Sequence, residues 1–130
     1  MGSKTILVVD DEPDIAEPIV FLLTGYGYRV QVASNGSVAL EMLAYGPPDL
    51  VLTDLMMPGV NGAELVQKVR SMDGLEATTP IVVMSALSQD IVRHECPLAT
   101  AFLTKPFTSA ELLNSLRNIL GHNDVFSGLS

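Results

Sequence analysis

At 130 residues the chain is long enough for one domain with a single well-buried core. Hydrophobic residues make up 48% and charged residues 17%, a balance that excludes a disordered polymer. The net charge of −8, from seven Lys and Arg against fifteen Asp and Glu, excludes a basic nucleic-acid surface in this chain. Apolar runs fall short of the roughly 18 residues a membrane span needs. The N-terminus lacks the basic-then-apolar layout of a secretory leader. Ile6 stands where N-myristoylation requires Ser or Thr. The single cysteine, Cys96, excludes an internal disulfide and fits a reducing compartment. A cytoplasmic protein with no membrane contact is expected.

In chain order, Lys4–Val9 predicts a buried strand and Pro13–Thr24 a helix, with Pro13 acceptable at its first position. Gly25-Tyr26-Gly27 closes that helix. An interior proline costs about 3 kcal/mol or a kink, so Pro18 predicts a bend or a late start. Ile15, Ile19, Leu22 and Leu23 form its apolar face, which leaves Phe21 pointing outward beside Glu17 as a docking contact or an ordinary exposed aromatic. Tyr28–Ala33 alternates and reads as a strand near a sheet edge. Ser34-Asn35-Gly36 has cap chemistry before a helix over Val38–Ala44, which Pro47-Pro48 ends.

Leu50–Thr53 is the third strand. Pro58-Gly59-Val60-Asn61-Gly62 is a loop before a helix over Ala63–Ser71. Ile81–Met84 is the fourth strand. A short helix over Ser88–Glu95 stops at Cys96-Pro97. Ala101–Thr104 is the fifth strand, and Ser109–Leu120 is the last helix, with Gly121 at its end. Residues 1–121 read as one domain, and 122–130 as a polar tail or the start of a linker. Strands alternating with helices predict right-handed crossovers and a parallel sheet covered on both faces.

Chemistry-bearing residues cluster at the strand ends. Ile6-Leu7-Val8-Val9 runs into Asp10-Asp11, Leu50-Val51-Leu52-Thr53 into Asp54, and Phe102-Leu103-Thr104 into Lys105-Pro106. Parallel strands place their carboxyl ends along one edge, where open α/β sheets bind ligands. Adjacent carboxylates repel when ionised, and a hard cation such as Mg²⁺ or Mn²⁺ relieves that repulsion through oxygen ligands. Asp11 or Glu12 could instead cap the helix at Pro13. A carboxylate can also act as a nucleophile and form an aspartyl-phosphate, and Asp54, followed by a turn, is the candidate. Lys105 offers a compact positive charge to phosphoryl oxygens, and Ser85, just past the fourth strand, offers a hydroxyl. The Lys105–Pro106 bond is a candidate cis peptide.

These residues carry a resemblance. Ile6-Leu7-Val8-Val9-Asp10-Asp11-Glu12-Pro13, Asp54-Leu55-Met56-Met57-Pro58-Gly59-Val60-Asn61-Gly62, Met84-Ser85-Ala86 and Lys105-Pro106-Phe107 together resemble the receiver domain of bacterial two-component response regulators, from Lys4 to Leu120. The resemblance implies a flavodoxin-like, doubly wound sheet of five parallel strands in the order 2-1-3-4-5 with five helices. It implies that Asp54 accepts a phosphoryl group from a sensor histidine kinase or a histidine phosphotransfer protein. Asp10, Asp11, Asp54 and the backbone carbonyl of Met56 would hold the metal. Ser85 and Lys105 would contact the phosphoryl oxygens, and Phe102 would be the switch aromatic alongside Ser85. The domain would dephosphorylate itself, with no turnover of a separate substrate. A downstream protein or a phosphorylation-driven homodimer would read the changed surface.

Arg93-His94-Glu95-Cys96-Pro97-Leu98 departs from that family, because Pro97 shortens the helix there. His94 and Cys96 lack further ligands for a metal set and read as structural or surface residues. A magnesium-dependent aspartyl-phosphate phosphatase is the enzyme alternative, with Glu12 two residues after Asp10. A flavin module on this fold class would want a Ser-, Thr- or Gly-rich phosphate loop where Asp-Asp-Glu-Pro stands. A receiver-like interaction module working without phosphorylation is opposed by the intact acidic set. An EF-hand loop at Asp10 is opposed by Pro13 and Ile15. No DNA-binding element is expected after Leu120.

Overall fold

Ile6, Leu7, Val8 and Val9 are all fully buried, as a strand enclosed by helices on both faces requires. This strand, β1 (Thr5–Val9), lies inside a parallel sheet with β2 (Arg29–Ala33), β3 (Leu50–Asp54), β4 (Ile81–Ser85) and β5 (Ala101–Thr104). The order is β2-β1-β3-β4-β5, with all neighbours parallel. The helices are α1 (Pro13–Gly25), α2 (Gly36–Tyr45), α3 (Gly62–Arg70), α4 (Gln89–Glu95) and α5 (Ser109–Leu120). This computed structural model describes residues 3–121; the tail expected at 122–130 lies outside the described residues. Among the described residues no helix is long and apolar enough to cross a membrane. The architecture is the doubly wound, flavodoxin-like fold expected from the sequence.

Two apolar layers sandwich the sheet. Leu7, Val9, Val51, Ile81 and Val83 pack beneath α2, α3 and α4 through Leu43, Leu65, Val66, Val69 and Val92. Ile6, Val8, Leu50, Leu52, Val82 and Met84 pack beneath α1 and α5 through Ala16, Ile19, Leu23, Leu112 and Leu116. Alternate strand residues face opposite layers, so β3 and β4 are apolar almost throughout, while edge strand β2 has exposed positions.

The helix starts follow local chemistry. Asn35 and Asn61 cap α2 and α3 by accepting the N–H groups of Val38 and Glu64. Thr108 and Glu111 form a reciprocal capping box on α5. Helix α1 begins at Pro13 and runs through Pro18 without interruption, so the expected late start does not occur. Pro18 is exposed, and buried Ala16, Ile19 and Leu23 anchor the helix on the opposite side. Ile15 is 41% exposed, a correction to the predicted apolar face; Ala16 takes the inward position, in step with Ile19 and Leu23. A short 3₁₀ helix over Leu75–Thr78 was not evident in the sequence.

Candidate functional site

Strand register builds the site. Val9 pairs with Thr53, and Asp54 pairs with Met84. Asp10 therefore leaves β1 beside Asp54 at the end of β3. Asp10 and Asp54 share parity with Val8 and Leu52, so both carboxylates leave the sheet on the same side. Carboxylate oxygens of Asp10, Asp11 and Asp54 lie within 4.8 Å of one another.

Each group is oriented by a neighbour. Asp10 Oδ1 accepts the Glu12 N–H at 3.0 Å. Asp54 Oδ1 accepts the Leu55 N–H at 3.0 Å and a hydrogen bond from Lys105 Nζ at 3.0 Å. Asp10 and Asp54 are buried, whereas Lys105 keeps partial access to solvent. Burial pushes the Asp10 carboxyl above its ordinary value, and the Asp54 and Asp11 charges push the same way; the Glu12 N–H and Lys105 oppose them. Glu12 occupies the N-cap position of α1, but its side chain makes no cap hydrogen bond. The capping alternative for the acidic pair thus finds no support at Glu12.

Two oxygens test the fit of a cation. Asp10 Oδ2 and Asp11 Oδ1 are buried and have no hydrogen-bond partner. Buried carboxylate oxygens without partners are costly, and converging hard-oxygen donors suit Mg²⁺ or Mn²⁺. Among the described residues this is the one group of three acidic, His or Cys side chains close enough to hold a metal. His94 and Cys96 join no such group; Cys96 is buried and His94 exposed.

The remaining expected residues lie around this edge. Ser85 is buried, and its Oγ accepts the Leu87 N–H at 3.0 Å. The Lys105 N–H donates to the Ser85 carbonyl at 2.8 Å. The Lys105–Pro106 bond is cis. Met56, in the turn after Asp54, exposes its side chain. Phe102 is half-buried beneath the Arg93 guanidinium, 5.4 Å from the ring centroid.

Gly62 is a site residue that the sequence reading left in a loop. A Cβ there would stand 2.6 Å from the Asp54 carbonyl oxygen and 2.8 Å from the Leu55 Cα. The start of α3 therefore packs directly behind Asp54, and the Gly62 N–H donates to the Leu55 carbonyl at 2.8 Å. The Asn-Gly pair closing the loop was the available signal. Phe21 is 84% exposed. It borders an apolar groove of about 540 Å³ between α1 and β2 whose lining includes Asp10 and Asp11 together with Val20 and Val32.

Comparison with known proteins agrees with this geometry. Residues 6–117 match the family described as the response regulator receiver domain. The DNA-binding response regulator MtrA of Mycolicibacterium smegmatis is 38% identical over 93% of this chain and 52% of its own length. The chain spans about half the length of the curated relatives it matches. The Vibrio cholerae chemotaxis protein CheY4 superposes with a TM-score of 0.84 at 30% identity, over 92% of this chain and all of that one. The Thermotoga maritima response regulator TrrA, solved in complex with Mg²⁺ and BeF, gives a TM-score of 0.81 at 33% identity, over 90% and 99% of the two chains. The paired acidic strand ends, the lysine facing them and the match across the fold converge on one assignment: the chain belongs to the response regulator receiver domain family.

Proposed function

We propose that this domain is a phosphorylation-dependent switch in which Asp54 is the phosphoacceptor. The observation that carries this reading is the convergence of the Asp10, Asp11 and Asp54 carboxylates within 4.8 Å, with Lys105 Nζ 3.0 Å from Asp54 Oδ1. The donor is a phosphohistidine of a sensor kinase or phosphotransfer protein. An Asp54 carboxylate oxygen attacks phosphorus, the phosphorus–nitrogen bond breaks, and the imidazole leaves with a proton from solvent. The product is an acyl phosphate on Asp54. Attack by water on the same phosphorus later releases inorganic phosphate and restores the carboxylate.

Asp10, Asp11, Asp54 and the Met56 carbonyl would hold Mg²⁺, or Mn²⁺ in its place. When bound there, the cation would supply positive charge against the transferring group. Lys105 holds a phosphoryl oxygen as a point charge, and the Ser85 hydroxyl leaves the Leu87 N–H to donate to another. Phosphorylation adds about −1.5 to −2 charges and new acceptor oxygens. That change biases α4, β5 and α5 through Ser85 and Phe102. A downstream protein, or a second copy of the domain, then reads the new surface. The exposed Phe21 and its groove, lined in part by Asp10 and Asp11, suit the partner that delivers the phosphoryl group. A histidine-kinase partner places the domain in the cytoplasm.

Intact mass after incubation with acetyl phosphate and Mg²⁺ tests the reading, with Asp54→Asn as the control. One added phosphoryl group in the wild type and none in Asp54→Asn is expected. An unchanged wild-type mass, under conditions that label another receiver domain, overturns it.

A further inference from the structure

We propose that Arg93 is a latch: its guanidinium holds the Phe102 ring in the resting position and must release it when Asp54 is phosphorylated. The inference rests on the switch reading of Phe102 and adds the residue that opposes the switch.

Arg93 lies in the last turn of α4, and Phe102 lies on β5. The guanidinium carbon stands 5.4 Å from the ring centroid, inside the range of roughly 6 Å over which a cation is drawn to an aromatic face. Phe102 has no hydroxyl with which to anchor itself by a hydrogen bond. The Arg93 guanidinium makes a directional contact with its ring. Beneath, Phe102 packs against the apolar layer under α4, and this packing is nonspecific in direction.

Strand register ties the ring to the phosphorylation site. Phe102 pairs with Val83, and Thr104 with Ser85. Residues two apart on a strand share a face, so Phe102 stands on the same side of the sheet as Ser85. Ser85 Oγ is engaged by the Leu87 N–H at 3.0 Å. A turn of Ser85 toward a phosphoryl oxygen breaks that contact and vacates space on the ring's side. The ring then moves inward, and the guanidinium stays behind on exposed α4. Arg93 keeps a second partner there, because its Nη1 lies 3.6 Å from Asp90 Oδ1 in an exposed i,i+3 pair. A contact made only in the resting state lowers the population of the phosphorylated conformation by its full worth.

Beryllofluoride with Mg²⁺, used in place of a phosphoryl group, tests the latch by titration calorimetry on the whole chain. Arg93→Ala is expected to bind it about two- to five-fold more tightly than the wild type, the range of an exposed cation–π contact. The sign is diagnostic, since loss of a cation would otherwise weaken binding of an anion. In a Phe102→Leu background, which keeps an apolar side chain but removes the aromatic face, Arg93→Ala should produce no gain. Unchanged or weaker binding by Arg93→Ala, or the same gain with Phe102→Leu, overturns the latch. A wild type that takes no beryllofluoride overturns the switch reading and the latch with it. A wild type that binds, matched by Arg93→Ala, overturns the latch alone.

Discussion

Lys105 Nζ and the Leu55 N–H both bind the same oxygen of Asp54, Oδ1, each at 3.0 Å. Neither donor engages Oδ2, so the carboxylate is held by one oxygen and presents the other. Lys105 also opposes the charge of Asp10 as well as pairing with Asp54. We predict that Lys105→Gln costs about 1.5 to 3 kcal/mol in chelator, the range for a hydrogen bond to a charged group. Mg²⁺ should shrink this deficit by supplying positive charge to the same oxygens. Urea denaturation with and without Mg²⁺ checks this; an equal loss in both would contradict it.

Asp10 gives a pH signature. Its carboxyl is raised above the ordinary value mainly by burial, so the folded, metal-free protein holds this proton more tightly than the unfolded chain. Such a group contributes stability that is fully present below the unfolded value and is lost as pH rises through the raised folded value. We expect Asp10→Asn to flatten the loss over that window by at most about 1.4 kcal/mol per pH unit, the limit for one proton. The same variant should lose most of the stabilisation by Mg²⁺. Thermal melts across pH, in chelator and in Mg²⁺, measure both effects.

Gly62 makes the backbone behind Asp54 testable. A methyl there would meet the Asp54 carbonyl at 2.6 Å, and backbone cannot swing aside as a long side chain does. Gly62→Ala, a change that favours helix elsewhere, should destabilise by about 1 to 3 kcal/mol through overpacking. It should also slow acetyl phosphate labelling of Asp54. An unaltered urea midpoint would show that α3 can shift freely.

Phe21 is exposed enough that Phe21→Ala should change stability by less than about 0.5 kcal/mol. Transfer from a phosphohistidine donor protein should fall about tenfold, the scale of a modest interface hot spot. Labelling by acetyl phosphate, which needs no docking surface, should be unchanged. Equal rates from the protein donor would remove the groove from the interface.

Much of this was legible in the sequence because the signals were local. Apolar runs into Asp10, Asp54 and Lys105 marked the strand ends, and parallel pairing brings those ends to one edge. Phe21 was readable as outward-facing because helical spacing is regular. The inward role of Ala16 in place of Ile15 was not, since hydrophobicity ranks Ile above Ala, whereas the helix's rotation puts Ala16 in step with buried Ile19 and Leu23. The turn at Leu75–Thr78 carries no periodicity to detect. Asn61-Gly62 was a local sign of a special backbone position, but that its Cβ-less backbone packs behind Asp54, like the Arg93 stack on Phe102, depends on how α3, α4 and β5 pack, which no local pattern encodes.

Arg70, at the end of α3, donates to the carbonyls of Ala77, Thr79 and Leu98, and more distantly to Thr100 Oγ1. Three of these four acceptors are main-chain atoms, which every amino acid supplies. The segment from Cys96 to Leu98 is therefore tethered, through the Leu98 carbonyl, in a way largely blind to side-chain identity. Exposed positions such as Leu98 can change without unfastening the loop that leads into β5. This exposed surface is free to diversify, while the strand carrying Phe102 keeps its anchor.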